Sequence, residues 1–375
     1  MNIRVKQGVC ICAALIPPTS SASDARSAAM GNAGVASADY MSASLYNPAL
    51  LSASSSHNSI GLMFTGDRSF IGNEERLTSL ENIDTFGDLY EDSPQNITSQ
   101  WIEQVNRDLD SVDGKAHGVV NTNAAVVLAI PNSSLPMSFF MQGRMTNIYS
   151  STSGEYKTDS AADTYERVDS SDRFLNGVIV ADYGVTFSRS FDLKGSSVSF
   201  GISPKFQALA IYELLSDGND EPSGDDLDFS EYGFNMDIGA AWKRGHWQAG
   251  IAVKDIAKKR LGLRDGGYYD LNPQATLGGA YLGSNYVVTA DIDLNEQKHF
   301  SHIEDETQFV RLGAEYSPSN WLHLRLGYQS DMEQTVDDMF TVGIGVSPWD
   351  KVHLDFTGGF GEEALGMKMD VKVLI

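Results

Sequence analysis

Cysteine is almost missing from this chain, basic residues are heavily outnumbered by acidic ones, and no apolar run is long. The only two cysteines, Cys10 and Cys12, stand close to the amino terminus. That terminus reads as an export signal: Arg4 and Lys6 form a short positive region, Gly8 to Ile16 an apolar stretch, and Ser20-Ser21-Ala22-Ser23 a small-residue cleavage site. Residues 1–23 are therefore expected to be a signal peptide. A mature chain without thiols excludes disulfide staples, cysteine-zinc sites and cysteine nucleophiles. Val9 and Ile11 precede the two cysteines, where a lipoprotein signal needs a small residue, so lipidation is not expected. Beyond the leader no stretch reaches the roughly 20 apolar residues of a membrane helix, which excludes a helical inner-membrane protein. With 27 Lys and Arg against 50 Asp and Glu, a net charge of -23, the chain has no basic patch to displace the counterions of a phosphate backbone. Nucleic acid is excluded as a partner.

Glycine and aromatic residues are plentiful: 35 Gly, 15 Tyr and 17 Phe in 375 residues. A mean hydropathy of -0.22 despite so many apolar side chains fits a wall whose apolar outer face and polar inner face cancel in any average. From about His117 onward the order of residues carries the same message. Leu365, Met367, Met369, Val371, Val373 and Ile375 are apolar, and Gly366, Lys368, Asp370 and Lys372 fall between them. This is the period of a strand with two different environments at its faces. Val352, Leu354 and Phe356 alternate in the same way with His353, Asp355 and Thr357, and Phe234, Met236, Ile238, Ala240 and Trp242 with Asn235, Asp237 and Gly239.

Every second connection is built from turn formers, at 131–134, 192–195, 243–246, 283–285, 318–320 and 348–350. Longer polar loops intervene near 150–172, 216–230, 257–270, 295–306, 331–337 and 358–364. Short turns on one rim and long loops on the other are the asymmetry of outer-membrane barrels. A first strand over His57–Gly66, with those between Gly118 and Ile375, predicts about fourteen strands. In hydrocarbon such strands must close on themselves, because every backbone amide needs a partner inside the protein. Trp242, Trp247, Trp321 and Trp349 stand at or beside the short turns, where an interfacial aromatic girdle belongs. The expected fold is all-β, a transmembrane antiparallel barrel, located in the bacterial outer membrane.

Two segments break the rhythm. Leu77, Leu80, Ile83, Leu89, Ile97, Trp101, Ile102, Val105 and Leu109 recur at helical spacing, predicting a helical insertion over residues 74–113 in the first extracellular loop. Residues 24–55 are rich in Ala, Ser and Gly, too small-sided for a lipid-facing strand, and are expected to pack inside the barrel that residues 56–375 form. Alternation then predicts a charged inner wall of Lys205, Asp237, Asp291, Asp293, Arg311, Glu315, Arg325, Asp355, Lys368, Asp370 and Lys372. Such charges either line a polar pathway or form ion pairs that hold the inner segment. In a closed lumen, where unpaired charge is costly, pairing is expected.

The run Ala25-Arg26-Ser27-Ala28-Ala29-Met30-Gly31-Asn32-Ala33-Gly34-Val35-Ala36-Ser37-Ala38, followed by Leu45-Tyr46-Asn47-Pro48-Ala49, resembles the N-terminal signature of the FadL-like outer-membrane barrels. The resemblance implies a fourteen-stranded barrel whose lumen is plugged by this segment, with Met30, Gly31, Gly34, Asn47 and Pro48 as plug residues. Gly201-Ile202-Ser203-Pro204-Lys205-Phe206-Gln207, Leu271-Asn272-Pro273-Gln274, Ala290-Asp291-Ile292-Asp293-Leu294, Leu312-Gly313-Ala314-Glu315-Tyr316 and Leu324-Arg325-Leu326-Gly327-Tyr328 resemble the barrel-type conjugal transfer protein TraF. Nothing here resembles the thioredoxin-like protein that shares that name. The name implies conjugation, and the fold family implies passage of small hydrophobic molecules. One departure is the final Val373-Leu374-Ile375, where such barrels commonly end in Phe or Trp. Expected partners are outer-membrane lipid, hydrophobic small molecules, and conjugation or other envelope proteins.

Chemistry is sparse. His299 and His302 with Glu304, Asp305 and Glu306 carry metal-ligand types, and Asp217, Asp220, Glu221, Asp225, Asp226 and Asp228 carry calcium-ligand types without a calcium-loop spacing. Both are read as solvated loops. His57, His117, His246, His299, His302, His323 and His353 lack a nucleophile motif such as Gly-x-Ser-x-Gly, so a hydrolytic triad at the outer rim is not expected. Met30-Gly31-Asn32-Ala33-Gly34 lacks the lysine and third glycine of a phosphate loop. No cofactor and no enzyme activity are expected. A non-transporting scaffold or interaction barrel, with the helical loop as its docking surface, is the alternative to a channel.

Overall fold

A computed structural model describes residues 23–53, 59–132, 134–215, 228–262, 267–349, 351–362 and 364–375. The leader up to residue 22 and most of the acidic loop at 217–228 lie outside the described residues. Three short helices come first: α1 (Ala25–Ala28), α2 (Ala43–Tyr46) and α3 (Leu50–Ala53). Then β1 (Gly61–Gly72) leads to α4 (Glu74–Asp92) and α5 (Ser99–Val112). Strands β2 (Lys115–Ile130) and β3 (Met137–Thr152) follow, then α6 (Ala161–Asp169), β4 (Asp172–Leu193), β5 (Ser196–Leu215), β6 (Asp228–Arg244) and β7 (Trp247–Lys254). A small hairpin, β8 (Lys259–Gly262) and β9 (Tyr268–Leu271), precedes β10 (Gln274–Leu282), β11 (Tyr286–Asp293), β12 (Phe309–Ser319), β13 (Leu322–Asp331), β14 (Met339–Trp349), β15 (Val352–Phe360) and β16 (Ala364–Leu374).

Among the described residues, every strand except the β8–β9 pair joins one closed antiparallel barrel of fourteen strands, sealed where β1 pairs with β16. Closure leaves no unpaired edge. The alternation becomes an inside and an outside: Leu365, Met367 and Met369 are exposed, whereas Lys368, Asp370 and Lys372 are buried. Trp242, Trp247, Trp321 and Trp349 are exposed on the outer surface, at or beside the short-turn rim.

Several local expectations are corrected. The first strand spans Gly61–Gly72 and so runs on past the expected end at Gly66, because its partners on β2 and β16 continue to Gly118 and Ala364; His57 lies outside the described residues. The wall over β4 and β5 is 22 and 20 residues tall, about twice the length needed to cross hydrocarbon, so it projects on the long-loop side. Two of the polar loops are also structured. One holds α6, capped by the Ser160 side chain, which accepts from the Asp163 amide, and the other holds the β8–β9 hairpin.

Asn73 and Thr98 are the side-chain caps of α4 and α5. Helices α4, α5 and α6 bury Ile83, Phe86, Val105 and Leu109 among themselves. Tyr90 stacks on Tyr165 at 4.3 Å. The resulting cap stands on the long-loop rim against β2 and β3, tied down by a bond from the Arg76 guanidinium to the Ala116 carbonyl at 2.5 Å.

Candidate functional site

Residues 23–53 lie inside the barrel, with α1 against β14, β15 and β16 and α3 against β4, β5 and β6. Their path follows inward-facing glycines. An added Cβ at Gly343 would stand 2.4 Å from the Ala29 Cβ, at Gly327 2.0 Å from the Gly31 amide nitrogen, at Gly313 2.3 Å from the Met30 Cβ, and at Gly250 2.4 Å from the Val35 carbonyl oxygen. At Gly239 it would meet Asn47 Oδ1 at 1.9 Å, and at Gly201 the Pro48 carbonyl carbon at 2.2 Å. The wall thus omits side chains where the inner segment passes, the use of strand glycine for close backbone approach. Gly31 itself has φ +67° and Asn32 φ 64°, a left-handed pair that turns the segment; Asn tolerates this region better than most residues.

Charges fasten the segment along that path. The Lys372 ammonium donates to Asp24 and Asp39 at 2.8 Å each, and Arg26 pairs with Glu315 at 2.9 Å. Asp370 accepts from the Ala25 amide at 2.5 Å, and one Asp291 oxygen accepts from the Gly34 and Val35 amides at 2.7 and 2.9 Å. The Thr341 hydroxyl donates to the Ala29 carbonyl and accepts from the Gly31 amide, both at 3.0 Å. The Asn47 amide donates to the Val35 and Ala240 carbonyls. Within the wall Arg325 bridges Glu315 and Asp355 at 2.6 Å each, Arg311 pairs with Asp293 through two bonds of 2.8 and 2.9 Å, and Lys368 meets Asp67 at 2.5 Å. Lys205 lies 2.8 Å from Asp237 and 2.7 Å from Asp255. Each wall charge named from alternation is therefore buried, and each contacts an opposite charge or a segment amide.

Sequence reasoning missed the segment's own charges, Asp24, Arg26 and Asp39, because composition drew attention to its small residues. It also missed Arg144 and Asp182, which join the Lys205 cluster, and Asp255, whose φ of 50° sets it at a strand end beyond the alternation.

Nearer the long-loop rim the interior changes character. The β8–β9 hairpin and the loop at 295–306 fold inward, so that Leu261, Tyr269, Leu271, Phe300 and Ile303 pack against Ala116, Ile148, Val178, Val180, Leu209 and Ile211. The clue in the sequence is loss of alternation: Val178-Ile179-Val180-Ala181 and Leu209-Ala210-Ile211-Tyr212 are continuous apolar runs, the mark of a strand buried on both faces. His299 and Asp305 hold this loop together. The Asp305 carboxylate accepts from the His299 and Phe300 amides, and His299 Nδ1 lies 3.0 Å from the Asp270 carbonyl. Burial raises the Asp305 pKa above the ordinary carboxylate range, outweighing those bonds. Two Ser–His pairs, Ser317 with His323 at 2.7 Å and Ser347 with His353 at 2.5 Å, lie at the short-turn rim rather than the outer one.

Between the apolar and the ion-paired layers lie two cavities. The outer, about 70 Å³, is lined by Ala116, Val119, Ile148, Phe309 and Val336, with Asn121, Thr146, Gln297, His299, Asp305, Thr307 and Thr335 among its polar groups. The inner, about 40 Å³, is lined by Ser23, Asn32, Val35 and Tyr46 of the segment and by Ala252, Lys254, Thr276, Asp291 and Asp293 of the wall. Gln274 and Arg311 line both. On the other side of the segment a third cavity of about 330 Å³ includes Arg26, Asp39, His323, His353 and Lys372. The inner segment thus separates chambers of different lining.

Comparison with known proteins gives a family match over residues 44–293, more than half the chain, to the family described as F plasmid transfer operon, TraF, protein. No curated protein sequence matches. Among solved structures, the Ralstonia pickettii toluene transporter TbuX is 12% identical with a TM-score of 0.54, covering 94% of this chain and 97% of that one. The Pseudomonas putida toluene transporter TodX is 12% identical with a TM-score of 0.50 over the same shares. The CymD monoaromatic hydrocarbon channel is 10% identical with a TM-score of 0.50, covering 93% and 95%. At such identities the likeness is one of fold.

Proposed function

This chain belongs to the TraF protein family of the F plasmid transfer operon, and from that membership and its FadL-like barrel we propose an outer-membrane protein, plugged by residues 24–55, that admits small hydrophobic molecules. The observation that carries the reading is the outer cavity with its apolar patch, set beneath the inward-folded loops. A hydrophobic molecule entering there leaves water for contact with Val119, Ile148, Phe309 and Val336, a gain of about 25 cal/mol per Å² of apolar surface buried. Passage beyond that chamber requires the inner cavity and then displacement of the plug. The exposed apolar band on the outer face of the barrel and the tryptophans near its short-turn rim support lipid as the surrounding medium.

The proteins that share the fold include a toluene transporter and a monoaromatic hydrocarbon channel, which makes toluene the first compound to try. Expression of the chain in a host of low outer-membrane permeability is expected to raise uptake of labelled toluene severalfold. Phe309→Arg, which sets a second guanidinium at the outer cavity, is expected to abolish the gain. Equal uptake with and without the chain overturns the reading.

The family's description and the helical cap support a second reading, an interaction barrel used in conjugation. Deleting residues 74–113 is expected to leave heat-modifiable gel mobility, the sign of a folded barrel, while abolishing DNA transfer. Normal transfer from a strain lacking the whole gene removes this reading.

A further inference from the structure

The inner cavity contains an unmet chemical demand. Asn32 and Asp291 both line it and are 4% and 3% exposed. Asn32 donates its amide toward Gln329 at 3.4 Å, and Asp291 uses Oδ2 for the two segment amides. The remaining oxygen of each, Asn32 Oδ1 and Asp291 Oδ1, has no hydrogen-bond partner. Two acceptors, one of them anionic, therefore stand buried and unsatisfied beside one small chamber, a costly arrangement unless a donor is supplied from outside the chain. The cations there are already engaged: Arg311 makes its paired bonds to Asp293, and the Lys254 ammonium donates to the Leu45 carbonyl and lies over the Tyr46 ring. Both cations are thus committed to groups of the protein, and the two oxygens left over at the chamber are acceptors.

We propose that the two cavities form one binding site for an apolar molecule carrying a hydrogen-bond-donor headgroup, an alcohol, phenol or amine, its body in the outer cavity and its headgroup between Asn32 and Asp291. The inference rests on the uptake reading and narrows it. Three features meet in it: most of the surface exposed to the outer cavity is apolar, Gln274 and Arg311 are shared by both chambers, and about 40 Å³ has room for a headgroup or for a few waters but not for a ring. A carboxylate headgroup would meet the like charge and the unmatched acceptor of Asp291. A bare hydrocarbon would leave both acceptors unmet.

The test uses four compounds of one carbon skeleton, ethylbenzene, 2-phenylethanol, 2-phenylethylamine and phenylacetate, titrated calorimetrically into the detergent-solubilised full chain with a micelle-only blank. The alcohol and the amine are expected to bind about tenfold more tightly than the hydrocarbon or the acid, the size of one well-made buried hydrogen bond. Asn32→Gly keeps the left-handed backbone available and removes one acceptor, so it should erase most of that preference. Asp291→Asn is the sharper variant. The Gly34 and Val35 amides still need an acceptor, so the new carbonyl faces them and the new NH₂ replaces Oδ1, turning an acceptor into a donor. The preference should then swing toward phenylacetate, a reversal that mere loosening of the plug does not produce. Equal binding of all four, unchanged in both variants, would mean that the chamber holds only water and overturns the inference while leaving the uptake reading intact. Binding of none overturns both. Heat-modifiable mobility of each variant verifies that a folded barrel was titrated.

Discussion

Gly327→Val is expected to turn a closed barrel into a leaky one. An ideal Cβ at this position would stand 2.0 Å from the Gly31 nitrogen and 2.3 Å from the Met30 carbonyl carbon, and these are backbone atoms that cannot rotate away as a side-chain tip can. The Thr341 hydroxyl, which bonds the Ala29 carbonyl and the Gly31 amide together, fixes the segment at this same point. Overpacking of a filled interior costs about 1–3 kcal/mol or more, and the cheapest relief is for the segment to leave its groove, since at Gly327 the wall is held by ladders to both β12 and β14. Liposome swelling with small sugars should therefore rise from near background in the natural chain to that of an unplugged pore. Gly358→Val is the control, because a Cβ there meets nothing within 4 Å. A Gly327→Val barrel that folds but admits no more sugar than the natural chain would show that the segment is not what closes the lumen.

Loss of the Lys372 ammonium should be the most damaging single change to stability. It lies 2.8 Å from Asp24, 2.8 Å from Asp39 and 4.0 Å from Asp355, and its side chain is almost wholly buried. Lys372→Met keeps the length and the apolar stem but leaves Asp24 buried against Asp39 with no cation between them. Breaking a buried pair from one side costs about 3–5 kcal/mol, because the surviving charge stays desolvated. Reversible urea unfolding in detergent should show an unfolding free energy lower by that amount, seen as a reduced midpoint at unchanged slope. Adding Asp24→Asn should restore part of it, since the two changes act on one network and are not additive. Identical midpoints for Lys372→Met and the natural chain would mean that water reaches this cluster and that the pairs are not structural.

The barrel was legible because its physics is local. Adjacent residues on β16 or β13 answer to opposite surroundings, so Lys368 and Met369 or Arg325 and Leu326 declare their faces without reference to the rest of the chain. Connections were equally plain, since Pro-Ser-Asn and Pro-Trp-Asp can do little but turn. The helices at 74–112 were legible for the same reason at a different period. What failed was long-range. The groove that receives the inner segment is made of single glycines on β5, β6, β7, β12, β13 and β14, each unremarkable in its own strand, and they align only once the register of the sheet is set. The inward fold of the β8–β9 hairpin was hidden because a polar loop with two aromatic residues looks solvated until Tyr269 and Phe300 meet. The acceptors at Asn32 and Asp291, far apart in sequence, could not be read together at all.

The seam of the barrel has a kinetic meaning. Asp24 and Ala25 bond to Lys372 and Asp370 across sequence separations of 348 and 345 residues, and β1 meets β16 in the same region. Contacts of such span form late, because nearly the whole chain must be confined before they repay its lost freedom. Hairpin after hairpin can accumulate with local pairings, but the last rung and the first residues lock together in one event. Until then the inner segment has no completed groove to occupy, and the sheet has an open edge that invites pairing with another chain. The residues that fasten the segment to β16 are therefore also a clasp on the finished cylinder, and weakening them should lengthen the dangerous open-edged interval as well as loosen the end product.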